Sequence, residues 1–259
     1  MRYARPVLAA LVLSMSLGSY LLLAQAPAAP ARQGGAPAAP PPAMSFFITS
    51  AGLGRGGDLG GLTGADAHCQ ALAAAAGRGG AKWVAYLSTQ TPLVHARDRI
   101  GVGPWFNVQG RTVAANLDEL HGDTLPLARQ GNRLNKGTSL TEKGTPVNGV
   151  GDMPNQHDVM TGTTTEGRAY TDGMDHTCSN WTSSVDGTGS AQLGHHDRIG
   201  NNSGSWVSAH GSRGCSQPNV MAGGGAGLLY CFSPDPPPPA PARAGGAPAA
   251  PAAPAGRGN

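Results

Sequence analysis

The segment LTGADAHCQALAAAAGRGGAKWVAYLST, residues 62–89, combines a helix pattern with a strand pattern and decides the fold class. Apolar residues recur in its first half at the spacing of one helix face: Ala65, Cys69, Leu72, Ala73 and Ala76. We predict that Thr63 caps this helix, that Asp66 lies in its first turn, and that Gly77 ends it. Cys69 is therefore expected on the buried side of an alanine-rich helix.

The second half of the segment alternates like a strand. Trp83, Ala85 and Leu87 are expected on one face, and Val84 and Tyr86 on the other. Further strands are predicted in three places: SFFITS from residue 45, a hairpin of residues 104–108 with 112–114, and a closing strand, GLLYCF, at residues 227–232. The sequence thus predicts one helix among several short strands.

The two ends of the chain differ from its middle in composition. Residues 1–26 have a basic start, an apolar run and an Ala-x-Ala site, which is the pattern of a cleaved signal peptide; an uncleaved membrane anchor is the alternative. Residues 27–43 and 234–259 are rich in Pro, Ala and Gly and are predicted to be disordered. The domain is therefore assigned to residues 44–233, and its location to the secreted, periplasmic or cell-envelope fraction.

The four cysteines decide between a reactive thiol and structural crosslinks. Cys178 lies two residues after His176, a combination that also occurs in thiol nucleophiles and metal sites. Thiols of exported proteins oxidise, however, and an even cysteine count indicates two disulfides. We interpret Cys178 as part of a disulfide.

Several motifs resemble a known family. The patterns Gly64-Ala65-Asp66-x-x-Cys69 and Trp83-x-Ala85-Tyr86-Leu87-Ser88 resemble the start of the endostatin domain of collagens XV and XVIII. Pro104-x-x-Asn107-x-x-Gly110, and Cys215 before a last strand with Cys231, continue the resemblance. The pieces CSNWTSS, GHHDR and LLYCF look more like secreted bacterial relatives of that fold. The resemblance implies an α+β domain of the C-type lectin-like fold with nested disulfides, Cys69–Cys231 and Cys178–Cys215.

Two long segments are candidates for the working surface, residues 123–166 and residues 181–214. The second segment contains the candidate ligand-binding residues His195, His196, Asp197, Arg198, Trp206 and His210. Two alternatives stay open. Trp181 and Trp206 are large aromatics that also suit the core, and GHHDR also suits a hydrogen-bonded loop in which Asp197 or Arg198 anchors the backbone.

The sequence predicts no metal or other cofactor. Adjacent side chains of an extended segment point to opposite faces, so a site would need His195 or His196 together with His176, His210, Asp172 or Asp175. The zinc ligands of endostatin lie near its N-terminus and have no match here. The triplet Gln217-Pro218-Asn219 follows Cys215 instead of preceding it, so a calcium lectin site is not supported and a turn is predicted.

Composition and motifs narrow the function. A net charge of +3 with 13% charged residues does not indicate nucleic-acid binding, and no membrane contact is expected beyond the signal segment. No Gly-x-Ser-x-Gly motif occurs, and the glycine run at residues 223–227 lacks the Lys-Ser/Thr of a phosphate loop, so it is interpreted as a flexible turn.

We therefore expect a non-catalytic binding module for an extracellular protein or glycan. The alternatives are a purely structural envelope domain and a metal-dependent hydrolase that uses the His195/His196 loop. A pocket that gathers three or more His and Asp side chains would favour the hydrolase.

Overall fold

The computed structural model describes residues 43–122, 131–199 and 204–235. The predicted signal peptide, nearly all of the first Pro/Ala-rich segment and most of the second one lie outside these residues. Within the described part of the chain, no helix is both long and apolar enough to span a membrane.

The secondary structure is mixed, as expected for an α+β domain. The strands are β1 (Phe46–Ile48), β2 (Val84–Ala85), β3 (Thr89–Gln90), β4 (Leu93–Val94), β5 (Trp105–Phe106), β6 (Thr112–Ala114), β7 (Asp158–Met160), β8 (Gln192–His195), β9 (His210–Gly211) and β10 (Gly225–Phe232). The helical segments are α1 (Gly61–Ala75), α2 (Leu117–Leu120), α3 (Cys178–Trp181), α4 (Gln217–Met221) and a 3-10 turn at Ala96–Asp98. The predicted hairpin is confirmed as β5 and β6.

The closing strand β10 is the centre of the main sheet. It pairs antiparallel with β1 and β2 and parallel with β7, and the sheet continues through β8 to β9. Because β10 has neighbours on both sides and buried side chains on both faces, it needs a nearly continuous apolar sequence. The run GLLYCF meets that requirement.

Two core clusters lie on opposite faces of β10. Leu229 and Cys231 belong to one cluster, and Leu228, Tyr230 and Phe232 belong to the other. The predicted alternation after α1 is confirmed, with Trp83, Ala85 and Leu87 in the first cluster and Val84 and Tyr86 in the second. In residues 83–87 and 228–232, successive side chains thus point alternately into the first and the second core cluster.

Helix α1 packs on the first cluster through Ala65, Cys69 and Ala73, as its spacing predicts. The predicted cap at Thr63 is wrong, because the helix begins at Gly61 after a left-handed Gly60. Asp66 consequently lies beyond the first turn. Its carboxylate accepts a hydrogen bond from the Ala85 backbone N–H at 2.8 Å and pairs with Arg99 at 2.6 Å, which ties α1 to β2.

Residues 131–166 are more ordered than the sequence suggests. Residues 123–130 of the candidate surface segment lie outside the described residues. The rest of the segment contains β7, which is fully buried and lies between β10 and β8. A strand of three residues gives too short a pattern to detect, so only its pairing partners reveal it.

Both disulfides form the nested pairs that the endostatin-like resemblance implies. Cys69 joins Cys231 across 162 residues, and Cys178 joins Cys215 across 37 residues. No cysteine is free, so Cys178 is a structural residue. Two disulfides are typical of an oxidising extracellular or periplasmic environment.

Candidate functional site

The predicted histidine loop is buried and does not lie at the surface of the domain. His195, His196 and Asp197 are 5%, 0% and 5% exposed, so the expectation that they present an accessible face is wrong. His195 belongs to β8, and Asp197 accepts hydrogen bonds from the backbone N–H groups of Val150 and Ile199. The loop therefore anchors neighbouring backbone, as the alternative interpretation proposed.

The other predicted residues of this segment lie in different parts of the domain. Trp181 and Trp206 are core side chains, and their indole N–H groups donate to the carbonyl oxygens of Ser88 and Leu120. The side chain of Arg198 donates to Asn132 Oδ1 at the edge of a separate cavity of about 950 Å³. His210 keeps a side chain that is 41% exposed.

Strand pairing gathers a cluster of histidine and aspartate side chains. Asp158 on β7 is directly opposite His195 on β8, and His210 on β9 is opposite Leu193, two residues before His195. Cross-strand neighbours and residues two apart share one face of a sheet. His157 completes the group, and its imidazole ring stacks on that of His195 at 4.1 Å. We call His157, Asp158, His195 and His210 the His/Asp cluster.

The charges of the cluster are set by its mutual contacts. Burial opposes the ionisation of Asp158, but the imidazoles of His195 and His210 outweigh it and lower the pKa of this carboxyl to about 2. Burial also opposes a charge on His157, yet the carboxylates of Asp197 and Asp158 prevail and raise its pKa. The adjacent carboxylate of Asp158 raises the pKa of His210.

Sequence reasoning found only half of this cluster. His195 and His210 were candidates, whereas His157 and Asp158 fell in a segment without periodicity. His196 points away, since its Nε2 lies 3.0 Å from the Asn148 carbonyl oxygen, as expected for the neighbour of His195 on an extended segment. His176 does not join the cluster and pairs with Asp172.

A groove of about 560 Å³ lies elsewhere, between the β3–β4 hairpin and the segment before α3. Its lining is polar and neutral for the most part and consists of Gln90, Thr91, Leu93, Tyr170, Thr171, Gly173, Met174, Asp175, Thr177, Ser179 and Asn180. Leu93 and Met174 are 53% and 61% exposed, so apolar side chains are also accessible at this groove. We call this feature the polar groove.

One part of the polar groove has an unusual backbone. Cys178, Ser179, Asn180 and Trp181 all have positive φ angles, between 49° and 67°. Consecutive left-handed residues other than glycine are costly, and such strain is concentrated at functional sites. The Cys178–Cys215 disulfide and the buried Trp181 hold this turn in place.

Asn180 is fixed at the groove by its carbonyl oxygen. Asn180 Oδ1 accepts hydrogen bonds from the backbone N–H groups of Gln90 at 2.7 Å and Thr91 at 3.1 Å. Its amide nitrogen Nδ2 makes no hydrogen bond to any residue that the structure describes. The orientation of this side chain is thus set by the protein, while its donor group is left for another partner.

The triplet Gln217-Pro218-Asn219 begins α4 instead of forming a turn. Gln217 Oε1 accepts from the Gly56 backbone N–H, and Asn219 Oδ1 accepts from that of Gly187, each at 2.8 Å. The side-chain oxygens of Gln217 and Asn219 therefore hold the loops at Gly56 and Gly187 against α4.

Comparison with protein-family models and with curated proteins gives no match for this chain.

Proposed function

We propose that this chain is an exported, non-catalytic binding domain with a C-type lectin-like, endostatin-like fold, and that it binds a glycan in the polar groove. The nested disulfides and the single long helix against a central closing strand support that fold. The N-terminal sequence pattern and the disulfides together support export to the envelope or beyond.

The observation that carries the proposal is the chemistry of the polar groove. Amides, hydroxyl groups and one tyrosine line a preformed depression, and few of the lining groups are charged. Sugars offer many hydroxyl groups, which pair with amide and hydroxyl side chains fixed in advance by the protein. A protein ligand would usually need a larger apolar centre than Leu93 and Met174 provide.

The experiment is a glycan array probed with the full chain and with the Asn180→Asp variant. Aspartate keeps the oxygen that holds Gln90 and Thr91, but it replaces the amide donor with an acceptor. We expect the wild-type chain to bind a defined set of glycans, and the variant to bind them at least about tenfold more weakly, as for loss of one hydrogen bond. Its melting temperature should stay within about two degrees of the wild type.

Asn135→Asp is the matched control, because Asn135 lines the separate cavity beside Arg198. The control should bind glycans like the wild type. A wild-type chain that binds no glycan contradicts the proposal and favours a purely structural envelope domain. Loss of binding in the control alone would place the ligand in the other cavity.

The His/Asp cluster is the observation that favours the alternative of a metal-dependent hydrolase. The cluster gathers more than three such side chains, but three of its four members are at least nine-tenths buried. None of the four lines the polar groove. A hydrolase would need its metal beside the substrate, so we prefer the non-catalytic function.

A further inference from the structure

Three imidazole nitrogens of the His/Asp cluster converge on one carboxylate oxygen. The Nε2 atoms of His157, His195 and His210 lie 3.3, 3.2 and 3.3 Å from Asp158 Oδ1. These pairs are close, but they lack the direction of hydrogen bonds. Within the described residues, both Asp158 oxygens and both His195 ring nitrogens are buried without a hydrogen-bond partner.

Such unpartnered groups need an explanation. A buried polar atom without a partner costs about 1–3 kcal/mol, and more when it is charged. Asp158 is 1% exposed and His195 is 5% exposed, so bulk water does not compensate them. A bound cation would satisfy the carboxylate and the imidazoles at the same time.

Three of these side chains have the spacing of ligands that share one metal ion. Zinc bonds to nitrogen and oxygen are about 2.0–2.2 Å long, so neighbouring ligand atoms of a tetrahedral ion are about 3.3–3.5 Å apart. The three distances from Asp158 Oδ1 lie within about 0.1 Å of the lower limit of this range of ligand separations. The candidate ligand atoms of His157, Asp158 and His195 all lie within 4.8 Å of one another, whereas His210 is outside this group and only adjoins Asp158.

Asp197 lies behind the imidazole of His157. His157 Nδ1 and Asp197 Oδ1 are 3.5 Å apart, which is close but does not form a hydrogen bond. Histidine ligands of metals typically have a carboxylate or a carbonyl beside their second ring nitrogen. Asp197 itself accepts hydrogen bonds from backbone N–H groups, which fix its position.

The glycine run before β10 leaves room for the cluster. A Cβ on Gly223 would lie 2.7 Å from Asp158 Oδ2 and 3.2 Å from His210 Cε1. Gly224 has a φ of +109°, and a Cβ there would lie 3.1 Å from His157 Cδ2. The run begins with the predicted turn before β10 and is close-packed against the cluster.

We propose that His157, Asp158 and His195 bind one divalent transition-metal ion of the zinc class. Two imidazoles and one carboxylate suit zinc, whereas calcium and magnesium prefer sites made of oxygen. The three side chains are at least nine-tenths buried, so the domain encloses the ion away from the polar groove. The ion joins β8 to the start of β7.

The test is a titration of the full chain, stripped of metal with a chelator, with Co²⁺ as the spectroscopic probe and Zn²⁺ as the competitor. We expect equimolar uptake, the visible absorption of tetrahedral cobalt, and its loss when zinc is added. At a free zinc concentration of about 100 times Kd, the melting temperature should rise by about 5–10 °C.

Two ligand variants and one control make the test specific. Asp158→Asn and His157→Gln should each weaken metal binding by more than about 100-fold, beyond the usual effect of removing an orienting group. Because the His157 side chain is 9% exposed and that of Asp158 is 0% exposed, the His157 variant remains informative if Asp158→Asn fails to fold. His68→Gln, on α1, should bind like the wild type. Failure of the wild-type chain to take up either ion, or unchanged affinity in the His157 variant, would overturn the proposal.

Discussion

Changing Cys69 and Cys231 together to alanine should lower the free energy of unfolding by about 5 kcal/mol in the chain-entropy treatment of loop closure. The bond closes a loop across 162 residues and joins α1 to the central strand β10. Without it, the unfolded chain gains far more conformational freedom than the folded chain. Urea unfolding of the wild type and of the variant under non-reducing conditions measures the difference in their free energies of unfolding.

The matched control is the double alanine variant of Cys178 and Cys215. That pair closes a loop across 37 residues, so its loss should cost about 4 kcal/mol, roughly 1 kcal/mol less than loss of the longer loop. All four cysteines are fully buried, which makes the packing losses of the two variants similar. The reverse order of the two stabilities would show that loop closure is not the main contribution of these bonds.

Acidification from pH 6.5 to pH 4 should destabilise the domain by about 3 kcal/mol through His121 alone, at about 1.36 kcal/mol for each pKa unit. The imidazole is buried, with Nδ1 2.9 Å from the Leu117 carbonyl oxygen and Nε2 2.6 Å from the Tyr86 hydroxyl oxygen. The carbonyl only accepts, so Nδ1 carries the proton and Nε2 accepts from Tyr86. Burial lowers the pKa of His121 to about 4, an effect to which Arg97 adds.

The sign follows from proton binding in the two states. Between pH 4 and the ordinary histidine value near 6.5, the unfolded chain holds a proton on His121 that the folded chain does not. Stability from this residue is therefore complete above about pH 6.5, falls as the pH decreases, and stops falling below about pH 4. Asp118 and Glu166 oppose the shift without reversing it.

His121→Gln isolates this contribution, because glutamine offers Tyr86 an acceptor and does not titrate. The raised pKa values of His157 and His210 make the domain more stable as the pH falls, which is opposite to the effect of His121. Because the wild type and the variant share these two histidines, the difference between their stability curves comes from His121. Chemical denaturation at a series of pH values should give a variant curve that is flatter by about 3 kcal/mol over this range. Parallel curves would show that His121 takes up its proton in the folded state.

The sequence predicts those parts of the fold that local periodicity controls. Alternation from Trp83 to Leu87 and the α1 face of Ala65, Cys69 and Ala73 are strong patterns, and the structure confirms both. The cap of α1 was wrong because Thr63 is a good capping residue, yet the left-handed Gly60 lets the helix begin earlier. The intrinsic preference of Thr63 for a cap position therefore does not determine where α1 begins; the backbone conformation at Gly60 does.

The pairing of distant segments is what the sequence cannot show. Asp158 and His210 meet only because β7, β8 and β9 lie side by side, and the three residues of β7 give no pattern of their own. The left-handed turn at residues 178–181 is equally hidden, because its sequence, CSNW, contains no glycine. The disulfide pairing was accessible only through the resemblance to endostatin, since four cysteines allow three connectivities.

The central claim is that the polar groove is the recognition site, and an NMR titration of the ¹⁵N-labelled full chain with an array-selected glycan tests it most directly. We expect the backbone shift changes to concentrate at residues 90–93 and 170–180, with little change at Asn132, Arg133 and Arg198 around the separate cavity. Shift changes confined to that cavity, or spread evenly without saturation, would contradict the assignment of the groove.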